Sequence, residues 1–286
     1  MRLSEIKTIF HKELDESYPK EEVDSFFYIL IKHFLGLERF VLALQPLLAI
    51  SKEEEQPLFE ALSDLKLQKP IQYIIGKAHF MEMDFLVDEG VLIPRPETED
   101  MVRLILNDLG ELPQKKERFK ILDIGTGTGC VAIALARNLP SAKVLAMDIS
   151  DRALVIAGRN AFNNGVKIEF LQADILKTPQ WAHNFDVIVS NPPYVRESEK
   201  RDIKSNVKDY EPGLALFVSD EDPLVFYRAI INFSKHHLHQ GGYLYLEINE
   251  YLAEETKALL DERNFTDIEL RKDIFGKDRI LKCRLK

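Results

Sequence analysis

The residues best suited to chemistry lie where an apolar run ends, in "FDVIVSNPPYVRE" (residues 185–197). Neither Pro192 nor Pro193 carries an N–H, so a strand ladder cannot continue through them. The side-chain carbonyl of Asn191 and the backbone carbonyl of Pro192 are therefore two hydrogen-bond acceptors at the end of a predicted strand. Two adjacent acceptors suit a planar NH₂ group, which offers two donors. Tyr194 adds an aromatic face that can pack on a flat group and help to exclude water.

This arrangement predicts a site that alkylates a weakly nucleophilic nitrogen. Holding both hydrogens fixes the nitrogen and opposes delocalisation of its lone pair into a neighbouring carbonyl or ring. The proton can leave after the transfer, so positioning carries most of the catalysis and neither a general base nor a metal is required. We assign Asn191, Pro192 and Tyr194 as catalytic residues, and the same three with Pro193 as the substrate site.

A second candidate site lies upstream, in "LDIGTGTGC" (residues 122–130). Gly125, Gly127 and Gly129 fall in a predicted turn between a strand and a helix, where glycine lets the backbone approach a ligand closely. A dinucleotide-binding loop would have glycine at position 130, which is Cys130 here. The G-x-G-x-G spacing after an acidic residue is instead expected for S-adenosyl-L-methionine, which has no pyrophosphate to hold.

Two carboxylates complete the predicted donor site. Asp148 ends the next predicted strand, about twenty residues further on, where it can accept hydrogen bonds from two ribose hydroxyls. Asp174 follows a third strand in "LQADILK", where it can meet the adenine amino group or, alternatively, cap a surface turn. The predicted cofactor-binding residues are Gly125, Thr126, Gly127, Thr128, Gly129, Asp148, Asp174 and Asn191.

Alternating strands and helices position both sites. The pattern predicts strands over 119–125, 142–149, 167–173, 185–191 and 243–249, helices over 126–139, 150–165 and 223–242, and a final strand pair within 267–285. Repeated strand–helix units predict a mostly parallel sheet with helices on both faces. The last two strands have no helix between them, which predicts an antiparallel edge. The fold class is therefore α/β, with a Rossmann-like sheet of seven strands.

The N-terminal region has a helical period instead. Apolar residues recur at three- and four-residue steps in "EEVDSFFYILIKHFLGLERF", and Ser51 is a predicted N-cap. Residues 71–93 lose this period and predict short strands or a hairpin, whereas 94–109 predict a helix. The domains predicted are a helical substrate-recognition domain (1–74), a β-hairpin linker (75–94) and a methyltransferase domain (95–286), with a surface linker at 113–119.

Charge and composition argue against several classes of protein. The 286 residues carry a net charge of −9 with a pI near 5.4, which disfavours a protein that grips nucleic-acid phosphates. No run of about eighteen apolar residues occurs, so no transmembrane helix is predicted. The two cysteines, Cys130 and Cys283, are predicted to be buried reduced thiols of a cytoplasmic protein. We expect no metal, because the cluster at His236, His237 and His239 suits a helix end.

Nearly the whole chain resembles the release factor glutamine N5-methyltransferases of the HemK/PrmC family. The resemblance rests on "KPIQYIIGKAHF" (69–80), "LIPRPETE" (92–99), "LDIGTGTGC" (122–130), "SNPPY" (190–194) and "YEPGLAL" (210–216). The NPPY motif alone is shared with methyltransferases that act on amino groups of adenine or cytosine. Its combination with IPRPETE is specific to the family.

The resemblance implies a class I S-adenosylmethionine-dependent methyltransferase fold with a small N-terminal helical bundle. It also implies N5-methylation of the glutamine in the GGQ motif of class I peptide chain release factors, with S-adenosyl-L-homocysteine as the second product. The helical domain would help to recognise the release factor. The family's donor site maps onto Gly125 to Gly129 and Asp148, and its substrate clamp onto Asn191 to Tyr194. Some relatives have an aromatic residue where this chain has Ile175, which leaves the adenine contact open.

Two alternatives remain open at this point. An amino-methyltransferase of adenine or cytosine in nucleic acid predicts a basic groove, and a non-catalytic donor-binding module predicts that one of the two sites is degenerate. We further expect a monomer without membrane association. Arg95 and Glu97 either line the site or charge the start of a helix, and Tyr210 and Glu211 follow a polar loop (196–209) that could close over the glutamine.

Overall fold

The computed structural model describes residues 1–110, 119–177, 183–273 and 275–286. Except for Phe119, the surface linker predicted at 113–119 lies outside these residues. The chain forms two compact units. The first comprises Met1–Gly76 and Ser205–Tyr210, and the second comprises Lys77–Lys204 and Glu211–Lys286.

The first unit is helical, as predicted. Its helices are α1 (Leu3–Leu14), α2 (Lys20–Leu35), α3 (Val41–Leu44), α4 (Lys52–Lys66) and α5 (Ile71–Ile75). The apolar faces of these helices share one buried core. Ser51 is the N-cap of α4: its hydroxyl accepts a hydrogen bond from the Glu54 N–H (3.3 Å), and the Glu54 carboxylate accepts one from the Ser51 N–H (2.8 Å).

The region predicted as strands over 71–93 begins with a helix instead. Residues Ile71–Ile75 form α5, because Pro70 presets the backbone for a helical start and Gly76, with φ of 68°, ends the turn. The hairpin follows directly. Strands β1 (Lys77–Phe80) and β2 (Met83–Leu86) pair antiparallel around two residues with positive φ.

The second unit contains the predicted seven-stranded sheet. After the hairpin, the strands of this unit are β3 (Lys120–Ile124), β4 (Lys143–Asp148), β5 (Glu169–Gln172), β6 (Phe185–Ser190), β7 (Val195–Arg196), β8 (Phe217–Val218), β9 (Leu238–Glu247), β10 (Phe265–Lys272) and β11 (Asp278–Leu285). The sheet order is β10-β11-β9-β6-β3-β4-β5. Strands β3, β4, β5, β6 and β9 run parallel, and β10 and β11 form the antiparallel edge. The predicted fold class is confirmed.

Helices cover both faces of this sheet. The remaining helices in chain order are α6 (Pro96–Gly110), α7 (Cys130–Asn138), α8 (Asp151–Asn163), α9 (Ser205–Lys208, in the first unit), α10 (Gly213–Leu216), α11 (Val225–His237) and α12 (Ala253–Ala258), with 3₁₀ turns at Ile175–Lys177, Glu197–Arg201 and Glu250–Leu252. Neighbouring strand residues enter different cores. Ile121 belongs to the cluster with α6 and α7, and Leu122 to the cluster with α11. Burial on both faces explains the nearly continuous apolar runs of the strands.

The end of α11 differs from the prediction. The helix was expected to reach 242, but it ends at His237 and β9 begins at Leu238. The reason is an irregularity opposite β6, where Phe185 pairs with Leu238 but Val187 pairs with Tyr243. His239 therefore lies in a strand rather than at the helix end.

The other two histidines of the cluster do lie in the last turn of α11. His237 stacks on Phe233 with 4.1 Å between ring centroids, and His236 Nδ1 lies 2.9 Å from the Asn232 carbonyl oxygen. Within the described ranges, no three histidine, cysteine or acidic side chains are grouped so as to hold a metal ion. In the same residues, no helix combines the length and apolar character needed to cross a membrane. Cys130 and Cys283 are buried free thiols.

Candidate active site

The two sites predicted from the sequence meet at one cavity. Strands β3, β4 and β6 are neighbours in the sheet, and Gly125, Asp148 and Asn191 follow or end them at the carboxyl edge. All three residues line a cavity of about 230 Å³ in the second unit. The chain leaves β3 towards β4 on one side and later enters β6 on the other, so the cavity lies at the topological switch point where open α/β sheets bind ligands.

The glycine loop leaves open space at the cavity. Gly125 and Gly127 have φ of 73° and 54°, a conformation that favours glycine. A Cβ atom added at either position would meet no protein atom within 4 Å. The loop is held from beneath, because the N–H groups of Gly125 and Thr126 both donate to the Met147 carbonyl at 2.9 and 3.0 Å. A ligand can therefore approach the backbone of this loop directly.

Asp148 is held in one orientation beside the loop. Its Oδ2 accepts a hydrogen bond from the Gly127 N–H and its Oδ1 accepts one from the Ser150 N–H, both at 2.9 Å. Burial raises the pKa of this carboxyl group, and the backbone hydrogen bonds oppose the rise. Each oxygen retains a second lone pair, so the carboxylate can accept hydrogen bonds from a ligand without moving.

A second carboxylate, Asp123, supports the loop from the core. Asp123 Oδ2 accepts hydrogen bonds from the Thr126 hydroxyl (2.6 Å) and from the Ala132 N–H (3.2 Å). The side chain is buried, which raises its pKa to about 7. Sequence reasoning identified Asp123 only as the acidic residue before the glycines, and the structure shows that it ties the loop to the first turn of α7.

The other residues of the predicted donor loop lie apart from the large cavity. Thr126 and Thr128 line a smaller cavity of about 40 Å³, which Asn191 also lines. Gly129 lines neither cavity among the described residues. A Cβ at Gly129 would lie 3.1 Å from the Ala157 Cβ, so this glycine allows α7 and α8 to approach.

Asp174 lines the large cavity, but its carboxylate also serves its own turn. Oδ1 accepts a hydrogen bond from the Leu176 N–H at 3.0 Å, and Oδ2 lies 3.4 Å from Lys177 Nζ. Ile175, Leu176 and Phe226 contribute apolar wall to the same cavity. The capping role predicted as the alternative for Asp174 is therefore present alongside its position at the cavity.

Asn191 is held through a buried chain of hydrogen bonds that the sequence did not reveal. Its Nδ2 donates to Thr98 Oγ1 at 3.2 Å, and the Thr98 hydroxyl donates to Glu247 Oε2 at 2.7 Å. The Tyr194 hydroxyl donates to Glu247 Oε1 at 3.0 Å. Pro192 and Pro193 line the large cavity with Asn191, whereas Tyr194 is outside both described cavity linings.

Of the remaining residues singled out from the sequence, one lines a described cavity and the others do not. Arg95 lines the smaller cavity and forms an ion pair with the buried Glu211 (2.5 Å), whose other oxygen accepts from the Ile93 N–H (3.2 Å). Glu97 lies in the first turn of α6 and lines neither described cavity. Tyr210 belongs to the first unit, where its hydroxyl donates to the Leu67 carbonyl at 2.7 Å.

The fold and the cavity define a methyltransferase of the Rossmann-like class. Residues 99–207 match the family "Methyltransferase small domain", and residues 9–76 match "PrmC N-terminal domain". Among solved structures, the 16S rRNA N2 G1207 methyltransferase of T. thermophilus aligns with a TM-score of 0.53 at 20% identity, over 73% of this chain and 50% of that one. This likeness concerns the fold alone.

Relatives that match over the full length identify the family within this class of methyltransferases. The release factor glutamine methyltransferase of Flavobacterium psychrophilum is 46% identical over 286 residues, which is 100% of both chains. That of Bacteroides thetaiotaomicron is 41% identical over 98% of this chain and 99% of its own. The chain belongs to the release factor glutamine methyltransferase family.

The methyl donor of this enzyme is S-adenosyl-L-methionine, and the cavity fits that molecule. Gly125 and Gly127 border it without side-chain atoms, an oriented carboxylate lies at the end of β4, and apolar side chains form the far wall. These are the surfaces that the amino-acid tail, the ribose and the adenine ring require.

Proposed function

We propose that this protein methylates the side-chain nitrogen of a glutamine in the GGQ motif of class I peptide chain release factors. The observation that carries the proposal is that Asn191 and the glycine loop line one cavity while Thr98 holds the Asn191 amide nitrogen. The carboxamide of a glutamine carries a planar NH₂ group, whose two hydrogens need acceptors at the place where the donor methyl group is presented.

The donor half of the site comprises Gly125, Gly127 and Asp148, with Asp174 beside the apolar wall. Bound S-adenosyl-L-methionine supplies a methyl carbon on a positively charged sulfur. This carbon is already activated towards a nitrogen lone pair, and its transfer yields S-adenosyl-L-homocysteine. Asp148 is oriented by two backbone N–H groups, so it can accept ribose hydroxyl hydrogens without losing rotamer freedom on binding. Thr126, Thr128 and Asn191 stay assigned to the border of this half, whereas Gly129 lines neither described cavity and instead lets α7 approach α8.

The substrate half comprises Asn191, Pro192, Pro193 and Tyr194. Because the Asn191 Nδ2 is engaged by Thr98, its Oδ1 is the atom available to accept a hydrogen from the substrate NH₂. The Pro192 carbonyl is the second acceptor. Two acceptors hold the nitrogen in place and stabilise the positive charge that it gains as its lone pair is shared. Burial raises the pKa of Tyr194 far above its usual range, so its hydroxyl stays protonated and supports the site as a hydrogen-bond donor to Glu247.

Full-length similarity to release factor methyltransferases supports this substrate over a nucleic-acid base. The net charge of −9 is in keeping with a protein substrate. Both halves of the site are intact, which argues against a non-catalytic donor-binding module. The proposal also includes the predicted domain limits, the role of the helical unit in binding the release factor, and the monomeric state. It includes the cytoplasmic location as well, because release factors act at the ribosome.

The direct test is mass spectrometry of a class I release factor after incubation with enzyme and donor. We expect a gain of one methyl group on the peptide that carries the GGQ glutamine, and none on a release factor in which that glutamine is alanine. Incubation of labelled donor with DNA and with ribosomal RNA is the parallel arm. Label in nucleic acid and none in the release factor would contradict the proposal.

A further inference from the structure

We infer that Glu247 is a positioning residue of the methyl-transfer reaction, which fixes the direction of the Asn191 amide through Thr98. The inference rests on the proposed function and adds two residues to it. Neither Glu247 nor Thr98 was found as a candidate from the sequence, because they lie 149 residues apart and meet only in the fold.

Glu247 is a buried acid with two defined partners. Glu247 is the last residue of strand β9, and it is 1% exposed. Oε2 accepts from the Thr98 hydroxyl on α6 at 2.7 Å, and Oε1 accepts from the Tyr194 hydroxyl at 3.0 Å. A buried carboxylate costs free energy unless it is paired, so its presence next to the NPPY motif calls for a function.

The chain of hydrogen bonds has only one consistent direction while Glu247 is ionised. A carboxylate can only accept, so the single hydroxyl hydrogen of Thr98 must point to Glu247. Thr98 Oγ1 can then only accept from Asn191, which places the NH₂ of Asn191 at Thr98 and leaves Oδ1 for the substrate. Without the carboxylate, the Thr98 hydroxyl could donate to the Asn191 oxygen and the amide could turn over.

The charge of Glu247 also makes Asn191 Oδ1 a stronger hydrogen-bond acceptor. Hydrogen bonds in series polarise one another, more strongly in a buried setting than in water. Burial raises the pKa of Glu247, and the hydrogen bonds from Thr98 and Tyr194 and the charge of Arg279 oppose that rise. While Glu247 is ionised, its negative charge lies two hydrogen bonds behind Asn191, draws the Asn191 N–H hydrogen away and increases the negative character of Oδ1. This favours the state in which the substrate nitrogen becomes positive over the ground state, so the effect belongs to kcat.

Glu247 also fixes Tyr194, so one carboxylate controls two members of the NPPY motif. Asn249 supports the same loop from two residues further along, since its Nδ2 donates to the Tyr194 carbonyl at 3.0 Å. The end of β9 thus holds the motif by both side-chain and backbone contacts. This explains why a titratable side chain occupies a core position that an apolar residue would fill at lower cost in solvation.

The test compares Glu247→Gln with Thr98→Val, Thr98→Ser and the surface control Glu250→Gln, whose carboxylate pairs with Lys277 at 2.7 Å. Single-turnover rates of methyl transfer to the release factor and donor affinity by calorimetry are measured for each. Glu247→Gln and Thr98→Val should lower the transfer rate by on the order of 10- to 100-fold with donor affinity unchanged. Thr98→Ser and Glu250→Gln should keep the wild-type rate, since serine retains the hydroxyl.

The double variant separates a shared role from two independent ones. If Glu247 acts through Thr98, Glu247→Gln with Thr98→Val should be no slower than the slower single variant. Unchanged rates in both single variants, or rate losses matched by equal losses of donor affinity, would overturn the inference. Should Glu247→Gln fail to fold, the Val and Ser variants at Thr98 still decide it. Absence of methylation by the wild-type enzyme would instead refute the proposed function.

Discussion

The amide nitrogen of Asn191 lies 3.2 Å from Thr98 Oγ1 and donates a hydrogen bond to it. This contact joins the loop after β6 to the first turn of α6, which are 93 residues apart in the chain. It leaves the amide oxygen as the acceptor for a substrate and makes the side chain a fixed element of the cavity.

Asp148 should control donor affinity rather than the transfer step. Asp148→Asn replaces one accepting oxygen with an NH₂ group that cannot accept from the Gly127 or Ser150 N–H. We expect binding of S-adenosyl-L-methionine to weaken about 10- to 100-fold, because a hydrogen bond to a charged group contributes about 1.5–3 kcal/mol. Calorimetry measures it, with Asp151→Asn, an exposed acid beside the site, as the matched control. Equal affinity of the two variants would exclude Asp148 from the donor site.

Gly129 should be essential for stability. Its φ is 80°, and an added Cβ would lie 3.0 Å from the Ile133 Cδ1 and 3.1 Å from the Ala157 Cβ. We expect Gly129→Ala to lower the free energy of unfolding by about 1–3 kcal/mol. Gly158→Ala is the control, because this glycine lies inside α8 with nothing within 4 Å of the added atom. That variant should gain about 0.4–1 kcal/mol. Urea unfolding measures both, and a stable Gly129→Ala protein would show that the two helices can separate at no cost.

Asp123 should make the free energy of unfolding depend on pH in a way that is absent from the Asp123→Asn variant. Burial raises the pKa of Asp123 from 3.8 to about 7 in the folded protein. The folded state therefore holds a proton that the unfolded state releases, and this contribution to stability is complete below about pH 4 and is lost as the pH rises towards 7. Relative to Asp123→Asn, the wild type should lose up to about 1.4 kcal/mol of unfolding free energy per pH unit between pH 5 and 7.

Urea unfolding at pH 5, 6 and 7 tests this difference, with Asp151→Asn as the control for an exposed acid. The control should follow the wild type at each pH. A wild type and an Asp123→Asn variant that change in parallel would mean that Asp123 stays ionised in its buried position.

Local chemistry made much of the fold and half of the site predictable. The apolar runs of β3 and β6 are buried on both faces, so they could be identified as central parallel strands from residue types alone. Gly125 and Gly127 could be assigned because positive φ next to a strand end favours glycine. Asn191 could be assigned because two prolines end its strand.

The rest depends on contacts that no local pattern carries. Glu247 appears in the sequence as a polar residue within an apolar strand, and only the sheet places it behind the NPPY motif. The start of β9 at Leu238 accompanies an irregular pairing with β6, so residues 238–242, which include His239, were predicted as a continuation of the helix. Residues 71–75 alternate like a strand, but Pro70 and Gly76 limit them to one helical turn. Tertiary context decided each of these cases.

The central claim is that the Asn191 amide grips the substrate nitrogen, and Asn191→Ala tests it most directly. The measurement is the single-turnover rate of methyl transfer to the release factor, with donor affinity determined on the same preparation. Asn163→Ala, an exposed amide at the end of α8, is the matched control. We predict a loss of about 100-fold or more for Asn191→Ala at nearly unchanged donor affinity. Transfer by that variant at the rate of the Asn163→Ala control would contradict the account.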